Sequence, residues 1–279
     1  MGPARSVLFL PASNPRAIEK ARALPCDVAV LDLEDAVAPE AKADARRAAA
    51  AAVRAGGWGP RAAVRINGLD TEWGADDLAA LAGTGVSLIV APKVSDGGDV
   101  HALAARLPEG TALWAMVETP AALLALPDLA RAAADTPLEG LMLGVNDLAL
   151  GLGTGPSAER EPLKPWLAAT VAAARSRGLL AVDGVFNDFT DAAGFAAECA
   201  QARLYGFDGK SLIHPAQIGP ANAAFSPAPE EVARARAVVA AFASPEAAGK
   251  GAIRLDGGMV ERLHLAAAER LLARLDRDV

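Results

Sequence analysis

The chain is poor in the residues that most often carry chemistry alone. Its 279 residues include three histidines and two cysteines. His101, His214 and His264 stand apart from one another and from the cysteines, so no cluster has zinc-ligand spacing. Cys26 and Cys199 lie in apolar contexts and read as buried thiols rather than as a disulfide or a nucleophile. Basic blocks are absent as well. Lys and Arg number 27 against 34 Asp and Glu, a net charge of −7, and no basic stretch is interleaved with aromatics. That balance argues against a nucleic-acid partner. No apolar run reaches membrane-spanning length, and the first, Val7 to Pro11, is too early and too short for a signal peptide. The expectation is a soluble, cytoplasmic protein with no membrane partner. No Gly-x-Gly-x-x-Gly follows the first apolar run, so a dinucleotide site has no support.

What the chain does have is apolar bulk in a repeating order. With 52% hydrophobic residues it can bury one large core. Short aliphatic runs recur at Ser6–Pro11, Val28–Leu33, Ala62–Ile66, Leu88–Pro92, Leu113–Val117, Gly140–Val145, Ala181–Val185 and Gly209–Ile213. Ala-rich segments with helical spacing separate them, among them Ala41–Ala55, Ala121–Ala133 and Pro165–Arg177. Continuous apolar strands alternating with helices imply a parallel sheet with right-handed crossovers, and eight such units close into a (β/α)8 TIM barrel. The α/β barrel is expected over residues 1–228. Residues 229–279 form a C-terminal extension with helical patterns at Glu230–Ala243 and Met259–Arg274, around a Gly-rich segment Gly249–Gly258 that acts as a lid or reaches into a neighbouring subunit.

In a barrel, functional groups collect at the C-terminal ends of the strands. The polar residues there are Asp32, Glu34 and Asp35, then Arg65 and Asn67, Lys93, Glu118, Asn146 and Asp147, and Asp183 and Asn187. Glu118 and Asp147 end neighbouring runs, and two carboxylates so placed suffice for Mg2+, which keeps several waters and is completed by substrate oxygens. The plainer reading of Asp147 is a cap for the helix that follows. Arg65 offers a planar fork that grips a substrate carboxylate, or pairs with Glu34 or Asp35, or does both. Glu34 and Asp35 are read as orienting groups and water binders. Asp32, inside the strand pattern, faces into the barrel.

Seven ordered blocks carry a resemblance. They are Arg5-Ser6-Val7-Leu8-Phe9-Leu10-Pro11, Leu31-Asp32-Leu33-Glu34-Asp35-Ala36-Val37, Val64-Arg65-Ile66-Asn67, Pro92-Lys93, Val117-Glu118-Thr119-Pro120, Asn146-Asp147-Leu148, and Gly209-Lys210-Ser211-Leu212-Ile213-His214-Pro215. On these the chain resembles the citrate lyase beta subunit family, which includes malyl-CoA and citramalyl-CoA lyases within the metal-dependent hydroxyacid aldolases. The resemblance implies Mg2+ on Glu118 and Asp147, and an oxoacid carboxylate on Arg65. It also implies a 3-hydroxyacyl thioester substrate that is cleaved to an acetyl thioester and a 2-oxoacid. Asp256, in Leu255-Asp256-Gly257-Gly258, matches the family's acid/base from the C-terminal segment, and the alternative is a plain Asp-Gly turn before a helix. The coenzyme A handle is assigned to Arg16, Lys20, His214 and Pro215. The expected assembly is a homo-oligomer, a trimer or hexamer. The alternatives are a citrate lyase subunit that meets its acyl group on an acyl carrier protein, a malyl-CoA thioesterase, and a non-catalytic CoA- or oxoacid-binding paralogue.

Overall fold

The computed structural model describes residues 2–155, 157 and 159–275, and in it the eight apolar runs are parallel strands closed into a barrel in chain order. The first half comprises β1 (Ser6–Pro11), α1 (Pro15–Ala21), β2 (Val28–Asp32), α2 (Lys42–Ala55), β3 (Arg61–Arg65), α3 (Gly74–Leu81), β4 (Leu88–Ala91) and α4 (Gly97–Ala104). The second half comprises β5 (Ala112–Val117), α5 (Pro120–Leu124), α6 (Leu126–Arg131), β6 (Leu138–Leu143), α7 (Val145–Leu152), α8 (Lys164–Ser176), β7 (Leu180–Asp183), α9 (Ala192–Tyr205), β8 (Gly209–Leu212) and α10 (Ile218–Phe225). Several helices begin where a side chain caps them. Asn14 accepts from the Ala17 N–H, Thr119 from Ala122 and Asp191 from Gly194, and Pro15 and Pro120 stand at first-turn positions that need no N–H. The single helix expected over Ala121–Ala133 is broken at Ala125, because Pro127 has no N–H to continue the ladder.

Strand alternation sorts the core into two layers. One set, with Val7, Val28, Val30, Ala63, Leu88, Val90, Trp114, Met116, Met142 and Val182, fills the barrel. The intervening residues, such as Leu8, Leu31, Val64, Ile89, Val117, Leu141 and Leu212, pack outward among the helices. Strands buried on both faces carry no polar alternation for this reason. Gly140 lets Trp114 enter the barrel, since an added Cβ would lie 3.2 Å from the indole ring. The indole N–H is left without a partner, a cost of about 1–3 kcal/mol.

The barrel unit runs from Ala4 to Phe225, and a second unit gathers the described residues 226–275 together with Gly2 and Pro3. The second unit contains α11 (Pro229–Phe242), the antiparallel hairpin β9 (Ala252–Leu255) and β10 (Gly258–Glu261), and α12 (Arg262–Leu275). Val238, Val260 and Ala268 are buried together at its centre. The expected helix over Met259–Arg274 thus starts three residues late, at Arg262, because Gly258–Glu261 pairs as a strand. The Gly-rich segment is likewise half hairpin. Asp256 and Gly257 form its turn with φ of +52° and +80°, the pair of left-handed residues that a tight hairpin requires.

Candidate active site

The inward parity of the strands carries polar side chains to the C-terminal mouth of the barrel. In β2 and β3, Asp32 and Arg65 are direct register partners above Val30 and Ala63, so both point inward side by side. Their contact is bidentate, Nε to Oδ1 at 2.7 Å and Nη2 to Oδ2 at 2.6 Å. Asp32, to which the sequence attached no partner, is therefore the principal mate of Arg65. The remaining nitrogen, Nη1, lies 2.7 Å from Glu34 Oε2 and 3.6 Å from Asp35. The Nη1 contact with Glu34 is ionic, because Oε2 is not aligned to accept a hydrogen bond from it. Phe9 supports the guanidinium from inside the barrel, 5.2 Å from ring centre to Cζ. Burial alone would lower the Arg65 pKa, but Asp32, Glu34 and Asp35 hold it above its ordinary value, so the group stays cationic.

Glu34 bridges two cations, with Lys93 Nζ 2.5 Å from its Oε1. Burial still pushes its carboxyl above the usual range against the pull of Arg65 and Lys93. Its backbone is pinned by Lys42, a buried ammonium that donates to the carbonyls of Leu33 and Glu34 and to Asn67 Oδ1. Asn67 is in turn locked to Asp77, so this rim residue braces the loop after β2. Asp35 is exposed and peripheral, 3.8 Å from Lys93.

Glu118 follows Met116, which points inward, and Val117, which points outward, so its carboxylate enters the mouth. Thr119 and Pro120 start α5 at once and hold the residue at this height. Oε1 accepts from the Lys93 N–H at 2.7 Å. Lys93 aims that N–H from a left-handed φ of +51°, a conformation that costs a residue with a Cβ on the order of 1–3 kcal/mol. Oε2 is buried without a hydrogen-bond partner and rests against Gly144, where an added Cβ would sit 2.5 Å from the Glu118 Cβ. Gly144 caps α7, and Asp147 lies half-buried in the first turn of that helix. The strand expected to run to Val145 ends at Leu143, so Asp147 is presented by a helix turn, and no side-chain cap forms there. Desolvation first, then the charge of Glu34 and that of Asp147, raise the Glu118 pKa to about 7 against the pull of Lys93 and Arg65. A buried carboxylate oxygen without a partner, set against the helix turn that bears a second carboxylate, fits a divalent cation, with the other positions left to water and substrate. Among the described residues no group of three or more His, Cys, Asp or Glu is suited to a metal, so such a site would have two protein ligands.

Other residues singled out from the sequence lie elsewhere. Asp183 ends β7 but points outward. It is fully buried against Arg160 Nη1 at 2.8 Å and Lys210 Nζ at 2.7 Å, and Glu198 of α9 closes the network. Burial alone would raise its pKa, but the two cations hold it below the usual range, which makes it a structural charge rather than a rim group. Arg16 and Lys20 are exposed on α1, with Arg16 in the first turn nearer the rim. His214 and Pro215 follow β8, and the imidazole stacks on Phe189 with ring centres 4.6 Å apart. Asn146 and Asn187 exchange hydrogen bonds across the loops after β6 and β7. Asp256, in the second unit, is exposed and pairs with Arg234 Nη1 at 2.7 Å. Cys26 and Cys199 are free and buried, with thiols pushed up to about 11 and about 12, which removes them as nucleophiles. No helix among the described residues is long and apolar enough to cross a membrane.

Lys93 and Gly144 are the site residues whose roles the sequence did not disclose. The signal for Lys93 was its position just past β4. For Gly144 it was a glycine between an apolar run and an acid-bearing helix.

Known proteins share this arrangement of sequence and fold. Residues 5–215 match the family described as HpcH/HpaI aldolase/citrate lyase. A (3S)-malyl-CoA thioesterase of Cereibacter sphaeroides (strain KD131 / KCTC 12085) is 46% identical over 275 residues, covering 98% of this chain and 95% of that protein. An L-malyl-CoA/beta-methylmalyl-CoA lyase of the same species (strain ATCC 17025 / ATH 2.4.3) is 36% identical over 297 residues, covering 96% and 93%. The crystal structure of protein CitE from Mycobacterium tuberculosis, in complex with magnesium, acetoacetate and coenzyme A, superposes with a TM-score of 0.79 at 34% identity, over 99% of this chain and 98% of that one. On the matched residues and the extent of these relatives, the chain belongs to the HpcH/HpaI aldolase/citrate lyase family.

Proposed function

We propose that this chain is a Mg2+-dependent enzyme acting on a 3-hydroxyacyl thioester of the malyl-CoA type. The observation that carries the reading is the orphaned Glu118 Oε2, buried at the barrel mouth and turned toward the helix turn that bears Asp147. These two carboxylates would hold the ion. Bound there, Mg2+ supplies a Lewis acid for the substrate's hydroxyl or oxo oxygen and its adjacent carboxylate. The side chains do the rest. Asp32 clamps one edge of Arg65, leaving Nη1 to meet the substrate carboxylate in exchange for Glu34. Lys42 and Asn67 keep Glu34 in place from behind, so the exchange needs only a side-chain movement.

Two fates are open to such a thioester. In hydrolysis, water attacks the thioester carbon and loses a proton, the C–S bond breaks, and the products are malate and CoA. In cleavage, the hydroxyl loses its proton and becomes a carbonyl, the C–C bond breaks, and its electron pair moves into an acetyl thioester enolate that is then protonated. Hydrolysis is supported by the 46% identity to the thioesterase of C. sphaeroides. Cleavage is supported by the ordered motif blocks, by the 36% identity to the malyl-CoA lyase and by the likeness to the CitE protein complexed with magnesium, acetoacetate and coenzyme A. Asp256 is the acid/base we assign from the resemblance.

The test is one incubation of purified protein with malyl-CoA, with and without Mg2+. Free CoA thiol and malate identify a thioesterase, and glyoxylate with acetyl-CoA identifies a lyase. Neither pair of products in the presence of Mg2+ refutes the reading.

A further inference from the structure

The mouth of the barrel presents two cationic side chains that touch Glu34, and they are not equivalent. Arg65 can take a ligand only by giving up Glu34: its side chain is 9% exposed, one edge is closed on Asp32, and its last nitrogen lies on Glu34 until the substrate carboxylate replaces it. Lys93 need not give it up. Its side chain is 46% exposed, and among the described residues its ammonium donates one hydrogen bond, to Glu34 Oε1, with Asp35 at 3.8 Å. An ammonium has three N–H donors, so two remain for an incoming ligand while Glu34 is kept. The backbone of the same residue holds Glu118 Oε1, so one residue touches both Glu34 and the carboxylate assigned to the candidate Mg2+ site. Its φ of +51° would suit glycine without strain, yet the position carries a long charged side chain. Strain tolerated at a pocket mouth points to use rather than to packing.

We propose that Lys93 is a catalytic residue whose ammonium donates a hydrogen bond to the thioester carbonyl oxygen as that oxygen gains negative charge. The inference rests on the thioester reading above but not on the fate of the substrate. In cleavage the electron pair of the broken C–C bond comes to rest on this oxygen as an enolate. In hydrolysis the pair displaced by water comes to rest on it in the tetrahedral adduct. In both cases the proton stays on Nζ and no bond to lysine forms. A donor fixed in advance and aimed at charge that appears only in the transition state lowers the barrier without tightening ground-state binding.

Three variants of the full chain test this: Lys93→Met, which keeps the length and removes the charge, Lys93→Arg, and Lys93→Gly, whose backbone adopts the same φ freely and retains the N–H on Glu118. With Mg2+ and malyl-CoA, Lys93→Met and Lys93→Gly should lose roughly 10²–10³-fold in kcat, with KM changed by less than about threefold. Lys93→Arg should recover part of the rate. Calorimetry of Mg2+ binding, which does not depend on turnover, should give dissociation constants within about threefold of wild type for all three, because the Glu118 contact comes from the backbone. An undiminished kcat in Lys93→Gly overturns the inference, as does a fall in kcat matched by an equal loss of Mg2+ affinity, which would make Lys93 only a tie for Glu118. Wild-type protein inert toward malyl-CoA overturns the thioester reading and this inference with it. Active wild type beside an equally active Lys93→Gly overturns this inference alone.

Discussion

Gly144→Ala isolates the geometry of the candidate Mg2+ site from its chemistry. The residue has φ −101° and ψ 80°, so alanine meets no left-handed penalty there and the effect is steric. The new methyl carbon would stand 2.5 Å from the Glu118 Cβ and 3.2 Å from its carboxyl carbon, where ordinary contact begins near 3.4 Å. The first of these cannot be relieved by a rotamer change, because the Cβ is fixed to the backbone between β5 and the Thr119 cap. The turn before α7 and the end of β5 must separate by roughly 1 Å, a misplacement that can cost on the order of 100-fold in a catalytic arrangement. We expect Mg2+ affinity to fall about 10- to 100-fold, as for changes that shift a ligand without deleting it, with a stability loss of about 1–3 kcal/mol. Titration calorimetry of Mg2+ in the presence of oxoacid reads the first quantity and urea unfolding reads the second. Gly110→Ala is the control. That residue precedes β5 at the opposite end of the barrel, with φ +75° and open space around its Cβ direction, so it should cost about 1 kcal/mol and leave Mg2+ binding unchanged. A Gly144→Ala protein that binds Mg2+ as wild type does would refute the placement of the ion between Glu118 and Asp147.

Other expectations follow from single residues. Burial raises the Glu118 pKa from 4.5 to about 7 when no cation is bound, so the stability the carboxyl contributes is present below the unfolded pKa and lost as pH rises through about 7. That loss amounts to about 3 kcal/mol between about pH 4 and about pH 8 with chelator present. Urea midpoints should show it in wild type and not in Glu118→Gln, and an equal slope in both would remove the buried-carboxylate account. Asp183→Ala removes the fully buried carboxylate between Arg160 and Lys210, leaves the two cations only Glu198 to share, and should destabilise the barrel by about 3–5 kcal/mol. Mg2+ affinity measured in the same protein should be unchanged, and a selective loss of it would return Asp183 to the active site. Asp256→Asn keeps a turn that Asn-Gly favours and gives up a surface ion pair worth little. The unfolding midpoint should therefore hold while kcat drops roughly 10²–10⁴-fold, and an unchanged kcat would leave Asp256 as a turn residue only.

Asp183 and Glu118 mark the boundary of what the sequence discloses. Each ends an apolar run, and position along the strand ranks them alike. What separates them is parity: Glu118 stands one residue past the outward Val117, whereas Asp183 stands one past the inward Val182. In a strand buried on both faces every neighbour is apolar, so the pattern that announces the strand hides which face looks into the barrel. The same limit explains Asp32. Its pairing with Arg65 follows from the register of β2 on β3, which is a property of the sheet and not of either run. The eight-fold order of strands and helices, by contrast, was legible, because each unit announces itself locally. In the C-terminal unit the local signal was present and outweighed: Asp-Gly between two short apolar runs is a hairpin signature, yet Met259, Val260 and Leu263 also fit a helical stripe continuing into α12. The hairpin prevails because two left-handed residues in succession turn the chain back on itself, and the four pairings from Gly258–Leu255 to Glu261–Ala252 then satisfy backbone groups that a helix start would have left open.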